Sequence, residues 1–379
     1  MNLLKELSLF SHSFHQICSK HLFATVDLHY TSSKKRFVEL VESRPNVVNY
    51  IRKLTYKVRS YNNDEDRRLS AILSKFLLTI SRLNCLAITG NAFHNDWDAL
   101  DSSLTSAFLH LMRFPTINHI DLSNIKNFPF SSLPQSVNLN RLDIDHLRHF
   151  DQHVIVVESE MMPKIYEFRT SDSYLSTTKL LHAIMQDGRP AFNFMDLRCL
   201  YIFLMESEDE QNFRYLLQNA QWLENIHLSV SHGQSLVGLH DILSPIARTL
   251  KVLSFSVSTY YSAPLSLPAL AGLCEELEAM TGHYMLEALS IEFDIEVGDA
   301  TVDSVGCDFQ KVEKVLVKPG WSALRQVSFI VSSSSTYIRR KWTKAFQSRP
   351  DIYLSLLSNL ESVSFNFLVC DEHDSFLFR

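Results

Sequence analysis

Residues 145–153 read DHLRHFDQH, three histidines at intervals of three and four with aspartates among them. On a helix that spacing puts His146, His149 and His153 on one face. Asp145 or Asp151 would stand beside them, and imidazole with carboxylate is a donor set for a divalent metal such as zinc. A metal centre also needs further groups to orient its ligands. Without them the run reads as a hydrated connector between structural elements, which is the preferred reading, and no metal or cofactor is expected.

Other reactive constellations are missing from the sequence. There is no GxGxxG or GxxxxGK[ST] loop to cradle phosphate, no HExxH and no GxSxG. No nucleophile, base and orienter stand out together, so the expectation is a protein that is not an enzyme. The acidic ESEDE of 206–210 fits a loop running into a helix start, where negative charge suits the helix dipole. The RRK of 339–341 beside Trp342 fits a solvated helix face.

Bulk composition narrows the field. With 379 residues and 46% hydrophobic content, the chain can bury a sizeable core. Its net charge of −6, from 36 basic and 42 acidic residues, argues against a dedicated nucleic-acid binder. The six cysteines are scattered, with no CxxC pair, and read as buried thiols in a reducing compartment. Lys5 and Glu6 interrupt what would be the apolar region of a signal peptide. No apolar run approaches the roughly 18 residues that span a bilayer. The expected location is cytoplasmic or nuclear, with neither membrane nor nucleic acid as partner.

The elements that must position any site emerge from a recurring pattern. LKVLSFSVS at 250–258 places Leu250, Leu253 and Phe255 as apolar, two spacers, apolar, one spacer, apolar. The pattern returns with middle anchors at Leu54, Leu86, Ile120, Leu142, Phe168, Leu200, Ile226, Leu253, Leu289, Val327 and Val363. LNCLAITGN even puts Asn91 at the ladder position of a leucine-rich repeat. Intervals run from 22 residues (Ile120 to Leu142) to 38 (Leu289 to Val327), so the array is irregular.

Helical periodicity fills the gaps. Leu69, Ile72, Leu73, Phe76, Leu77 and Ile80 recur at three and four. Leu180, Leu181 and Ile184 form a similar face, as do Phe213, Leu216 and Leu217. A strand and a helix repeated about eleven times predict an α/β solenoid, irregular and leucine-rich-repeat-like, with parallel strands on the concave face and helices outside. The alternative is an ordinary α/β domain, whose ligand loops would ask for more than nine glycines.

Alternation along each strand then predicts the binding surface, because residues flanking a buried anchor point the other way. The rows begin His119, Asp121, Ser123; then Arg141, Asp143, Asp145; then Glu167, Arg169, Ser171. They continue with Cys199, Tyr201, Phe203 and Asn225, His227, Ser229, and end in a ladder of Ser254, Ser290, Ser328 and Ser364. The expected partner-binding residues are Asp121, Arg141, Asp143, Arg169, Tyr201, Phe203 and His227. Aromatic residues would anchor a protein partner and the arginines orient it.

Residues 7–28 read LSLFSHSFHQICSKHLFATVDL. This segment resembles the second half of an F-box, in which an LSLVSxxF helix leads through an apolar continuation to the first strand of a recognition domain. Leu7, Leu9, Phe10, Phe14, Ile17, Leu22 and Phe23 carry the match. With the array that follows, the chain resembles fungal F-box proteins of the leucine-rich-repeat kind. The resemblance implies a partial F-box over 1–28 and a solenoid over 45–379. It also implies docking to the Skp-type adaptor of a cullin ubiquitin ligase through Leu7, Leu9, Phe10, Phe14 and Ile17, with the repeats capturing an unknown protein substrate. The Leu-Pro opening of an F-box has no counterpart here. The alternatives are therefore a ubiquitin-independent repeat scaffold that has lost adaptor docking, and a terminal helix that only caps the repeats.

Overall fold

The computed structural model describes residues 12–58, 64–91, 95–148, 156–157, 162–204, 207–231, 236–258, 272–294, 310–333, 336, 339–340, 343–344, 355–358 and 363–370. The chain divides into two compact units, Met1–Phe194 and Met195–Arg379. Each is a mixed α/β body built on six parallel strands that pair in chain order.

Among the described residues of the first unit, helix α1 (His12–Leu22) runs into strand β1 (Thr25–Leu28). Its other strands are β2 (Lys53–Lys57), β3 (Cys85–Thr89), β4 (His119–Ser123), β5 (Arg141–Asp145) and β6 (Glu167–Ser171). Register aligns Val26, Leu54, Leu86, Ile120, Leu142 and Phe168 side by side. From Leu54 to Phe168 these are the anchors of the sequence pattern, each with no measurable exposure. Among the described residues the array thus includes a strand at Thr25–Leu28, one before the first anchor.

The second unit holds β7 (Cys199–Leu204), β8 (Asn225–Ser231), β9 (Val252–Ser258), β10 (Ala288–Asp294), β11 (Gln326–Ser332) and β12 (Ser364–Cys370). Leu200, Ile226, Leu253, Leu289 and Val327 align as expected, but the next residue in the row is Phe365. The pattern had placed that anchor at Val363. A two-residue shift keeps every side chain on its face, so the apolar spacing alone could not distinguish the two registers.

A parallel strand needs a crossover before the next. Helices α2 (Thr31–Ser43), α3 (Asp64–Leu77) and α4 (Ser102–Met112) make the first three. In α3 the apolar stripe buries Leu69, Leu73 and Leu77, while Ile72 at its edge is 39% exposed. Between β4 and β5 there is no α-helix; a two-residue strand, Ile125–Lys126, and a 3-10 turn at Phe130–Gln135 fill the connection. This is the 22-residue interval, too short for strand, helix and two turns, and it carries Pro129 and Pro134. Helix α5 (Tyr174–Leu181) follows β6. In the second unit α6 (Ser207–Asn219), α7 (Leu239–Leu243) and α8 (Leu273–Met280) lie in the connections. Helix α6 buries the Phe213, Leu216 and Leu217 face.

The repeat is sharpest in the backbone. One carbonyl before each strand accepts two N–H groups from the next repeat: Arg52 from Asn84 and Cys85, Asn84 from Asn118 and His119, Asn118 from Asn140 and Arg141. In the second unit Arg198, Glu224, Lys251 and Glu287 do the same. Side-chain type is irrelevant to this bond, so the sequence carries no trace of it. Beneath, edge-on aromatic pairs fill the core: Tyr56 with Phe108 at 5.0 Å and Trp97 with Phe128 at 4.9 Å. Each buried ring contributes on the order of 2–3 kcal/mol of apolar burial. No helix among the described residues is long and apolar enough to cross a membrane.

Candidate partner-binding face

In the first unit, the strand face opposite the apolar columns is a grid set by register. Its first column runs Lys53, Cys85, His119, Arg141, Glu167 and its second Thr55, Ala87, Asp121, Asp143, Arg169. The predicted Asp121, Arg141, Asp143 and Arg169 all stand on it. Asp143 departs from the solvent-facing expectation, being only 8% exposed. His119 and Arg141 close over it: His119 Nε2 lies 3.0 Å from Asp143 Oδ2, and Arg141 donates to the same carboxylate through Nε and Nη2 at 3.2 and 3.0 Å. Arg141 also donates through Nη1 to Glu167 at 2.9 Å.

The electrostatics follow from that bracing. Burial pushes the Asp143 carboxyl up, but bonds from His119 and Arg141 outweigh it and hold it below the ordinary carboxylate range. Asp121, its neighbour in register, is pushed up by burial and by the Asp143 charge. Burial pulls the His119 imidazole down, yet hydrogen bonds with Asp143 and Cys85 raise it to about 9.

The DHLRHFDQH run is not a helix where it is described. Asp145 ends β5 and His146 takes a left-handed backbone with φ of 47°. His146 bridges two carboxylates, with Nδ1 2.8 Å from Asp145 and Nε2 3.1 Å from Asp172, and the Asp145 bond raises its imidazole. Asn124 and Asp172 hold the same left-handed turn position in the flanking repeats, and amide and carboxylate side chains tolerate it best after glycine. His149, His153 and Asp151 lie outside the described residues. Among those described, no group of three His, Cys, Asp or Glu could hold a metal.

In the second unit Tyr201 and His227 are register partners and stack in parallel, ring centroids 4.3 Å apart. Phe203 lies two residues on, half-buried on the same face. Beside them run Ser254 and Ser290, then Ser328, which is buried. Expectation fails there: every β11 residue after Gln326 is buried, whichever face it points to, and so is Glu292 of β10. Strand alternation tells the direction of a side chain and not whether something covers it. Ser364 pairs with Gln326, and Asn366 takes the rung next to Ser328.

Of the predicted adaptor contacts, Leu7, Leu9 and Phe10 lie outside the described residues, as does the side chain of Phe14. Ile17 is on α1 and 54% exposed, while the next two residues, Cys18 and Ser19, are buried.

The residue that sequence reasoning missed is Cys85. Its sulfur lies 3.2 Å from His119 Nδ1, so Cys85, His119 and Asp143 form a continuous chain across three strands. The signal was available: the flanking rule applied to Leu86 returns Cys85. The concave rows predicted from the sequence begin at His119 and so omit it.

No protein-family model matches the chain, and no curated protein does. Among solved structures, a protein from Bacteroides fragilis is similar over 89% of this chain and 81% of its own, at 10% identity with a TM-score of 0.37. That likeness is too low to inform fold or function.

Proposed function

We propose that this chain is a non-catalytic recognition subunit of an SCF-type cullin ubiquitin ligase, acting in the cytoplasm or nucleus. The N-terminal helix docks on the Skp-type adaptor, and a leucine-rich-repeat-like solenoid captures a protein substrate on the concave side formed by its strands. The observation that carries this reading is the direct passage from α1, with Ile17 exposed, into the first strand of the parallel array. An F-box joined to repeats would present that order. The strand faces of the two units support the second half of the reading, since the first sets the charged Asp121, Arg141 and Arg169 in ordered rows and the second the aromatic Tyr201, Phe203 and His227.

The test is a binding titration of the purified chain against the adaptor, beside a Phe10→Ala, Phe14→Ala double variant whose fold is verified by circular dichroism. Saturable binding that the double variant loses supports the reading. A folded chain that does not bind overturns it and leaves a ubiquitin-independent repeat scaffold. Charge reversal at Arg169 that leaves affinity for a substrate intact would remove Arg169 from the binding face.

A further inference from the structure

The geometry points to Cys85 as a modification site, a thiol activated by His119 and Asp143 toward small soft electrophiles, hydroperoxides first. The inference does not depend on the ligase reading. It rests on three side chains from three adjacent strands arranged as nucleophile, base and orienter.

Ionised, Asp143 can only accept hydrogen bonds, so the His119 nitrogen facing it, Nε2, carries a proton. That leaves Nδ1 directed at the Cys85 sulfur, 3.2 Å away. Arg141 holds Asp143 from its other side, so the carboxylate cannot swing away from the imidazole. The sequence positions explain the alignment. Cys85 and His119 are partners in the β3–β4 register, and Asp143 sits one strand further and two residues along, on the same face. The charged groups facing the pair are Lys53 from β2, Asp121 from β4, and Arg141 and Asp143 from β5. Cys85 is 9% exposed, a level that admits a molecule the size of hydrogen peroxide and disfavours bulky reagents.

The raised imidazole keeps the proton of the Cys85–His119 pair on Nδ1, and the Cys85 sulfur beside it attacks one peroxide oxygen. An S–O bond forms and the O–O bond breaks. The departing hydroxide takes the proton from Nδ1 and leaves as water. Sulfur is oxidised by two electrons to sulfenic acid and the peroxide is reduced by two.

The experiment exposes the intact chain to hydrogen peroxide, native or in urea, removes the peroxide with catalase, and only then traps sulfenic acid at each cysteine with dimedone in urea for mass spectrometry. Activation predicts that Cys85 is trapped at least about ten-fold faster in the native chain than in urea, and faster than Cys199 or Cys274 in the same sample. Mere burial predicts the opposite, protection in the native chain, and that result overturns the inference. His119→Gln, with Cys199 as internal control for fold, is expected to cancel the native acceleration. If it folds and leaves the Cys85 rate unchanged, the base is not His119 and the assignment fails. The native-to-urea comparison decides the matter without any variant.

Discussion

A Cβ atom placed on Gly90 would lie 1.9 Å from the backbone oxygen of Asn124. The two residues occupy the same turn position in neighbouring repeats. Gly90 N–H donates to Ser123 at 2.7 Å, and Asn124 N–H donates to Asp145 at 2.9 Å, so the turns extend the sheet ladder past the strand ends. Backbone cannot yield as a side chain tip can. Gly90→Ala is expected to cost about 2–3 kcal/mol or more in urea denaturation. Gly188→Ala, with open space around it but φ of 84°, should cost only about 1–2 kcal/mol. Equal losses at the two sites would refute the clash.

The His119 network makes stability depend on pH. Its imidazole is raised from 6.5 to about 9 in the folded chain, so the protonated form is favoured by folding. The stabilisation is complete below about pH 6.5 and is lost as pH rises through about 9. In wild type, the midpoint of denaturation should fall between pH 6.5 and 9.5. The His119→Gln variant should show a shallower fall and be less stable at pH 6.5 by about 1–3 kcal/mol. A wild-type curve that rises over this window would contradict the pairing.

Glu276 of α8 accepts from the backbone N–H groups of Gly238 and His240 at 2.7 and 2.6 Å, capping α7 in place of a local side chain. Glu276→Ala leaves donors at that helix start unpaired and should cost about 1.5–3 kcal/mol in denaturant titration, with Glu276→Gln restoring part of it. A loss below about 0.5 kcal/mol would show that water replaces the carboxylate without penalty.

Ile17 offers a clean probe of the N-terminal helix. It is exposed, so Ile17→Asp should leave the melting temperature within about 2 °C of wild type. If the helix docks on the adaptor, affinity should drop at least ten-fold, the scale of losing an apolar anchor. Retained affinity, measured by calorimetry, would place the adaptor contact elsewhere.

What the sequence alone determined was the strand-and-helix alternation and which residues point inward. Leu54, Leu86, Ile120, Leu142 and Phe168 were recognisable because burial of one strand face forces a period of two, and α3 and α6 because burial of one helix stripe forces a period near four. The same parity rule placed Asp121, Arg141 and Arg169 on one strand face in the first unit and Tyr201 with His227 on one in the second. Parity cannot choose between registers two residues apart, so Val363 stood where Phe365 belongs. Nor can it report what lies above a strand, which is why Ser328 and Glu292 are buried on a face expected to meet solvent. Only the tertiary structure joined Cys85, His119 and Asp143. These residues are 34 and 24 positions apart in the chain, and lateral register between parallel strands, set by backbone hydrogen bonds that no side chain encodes, brings them within bonding distance.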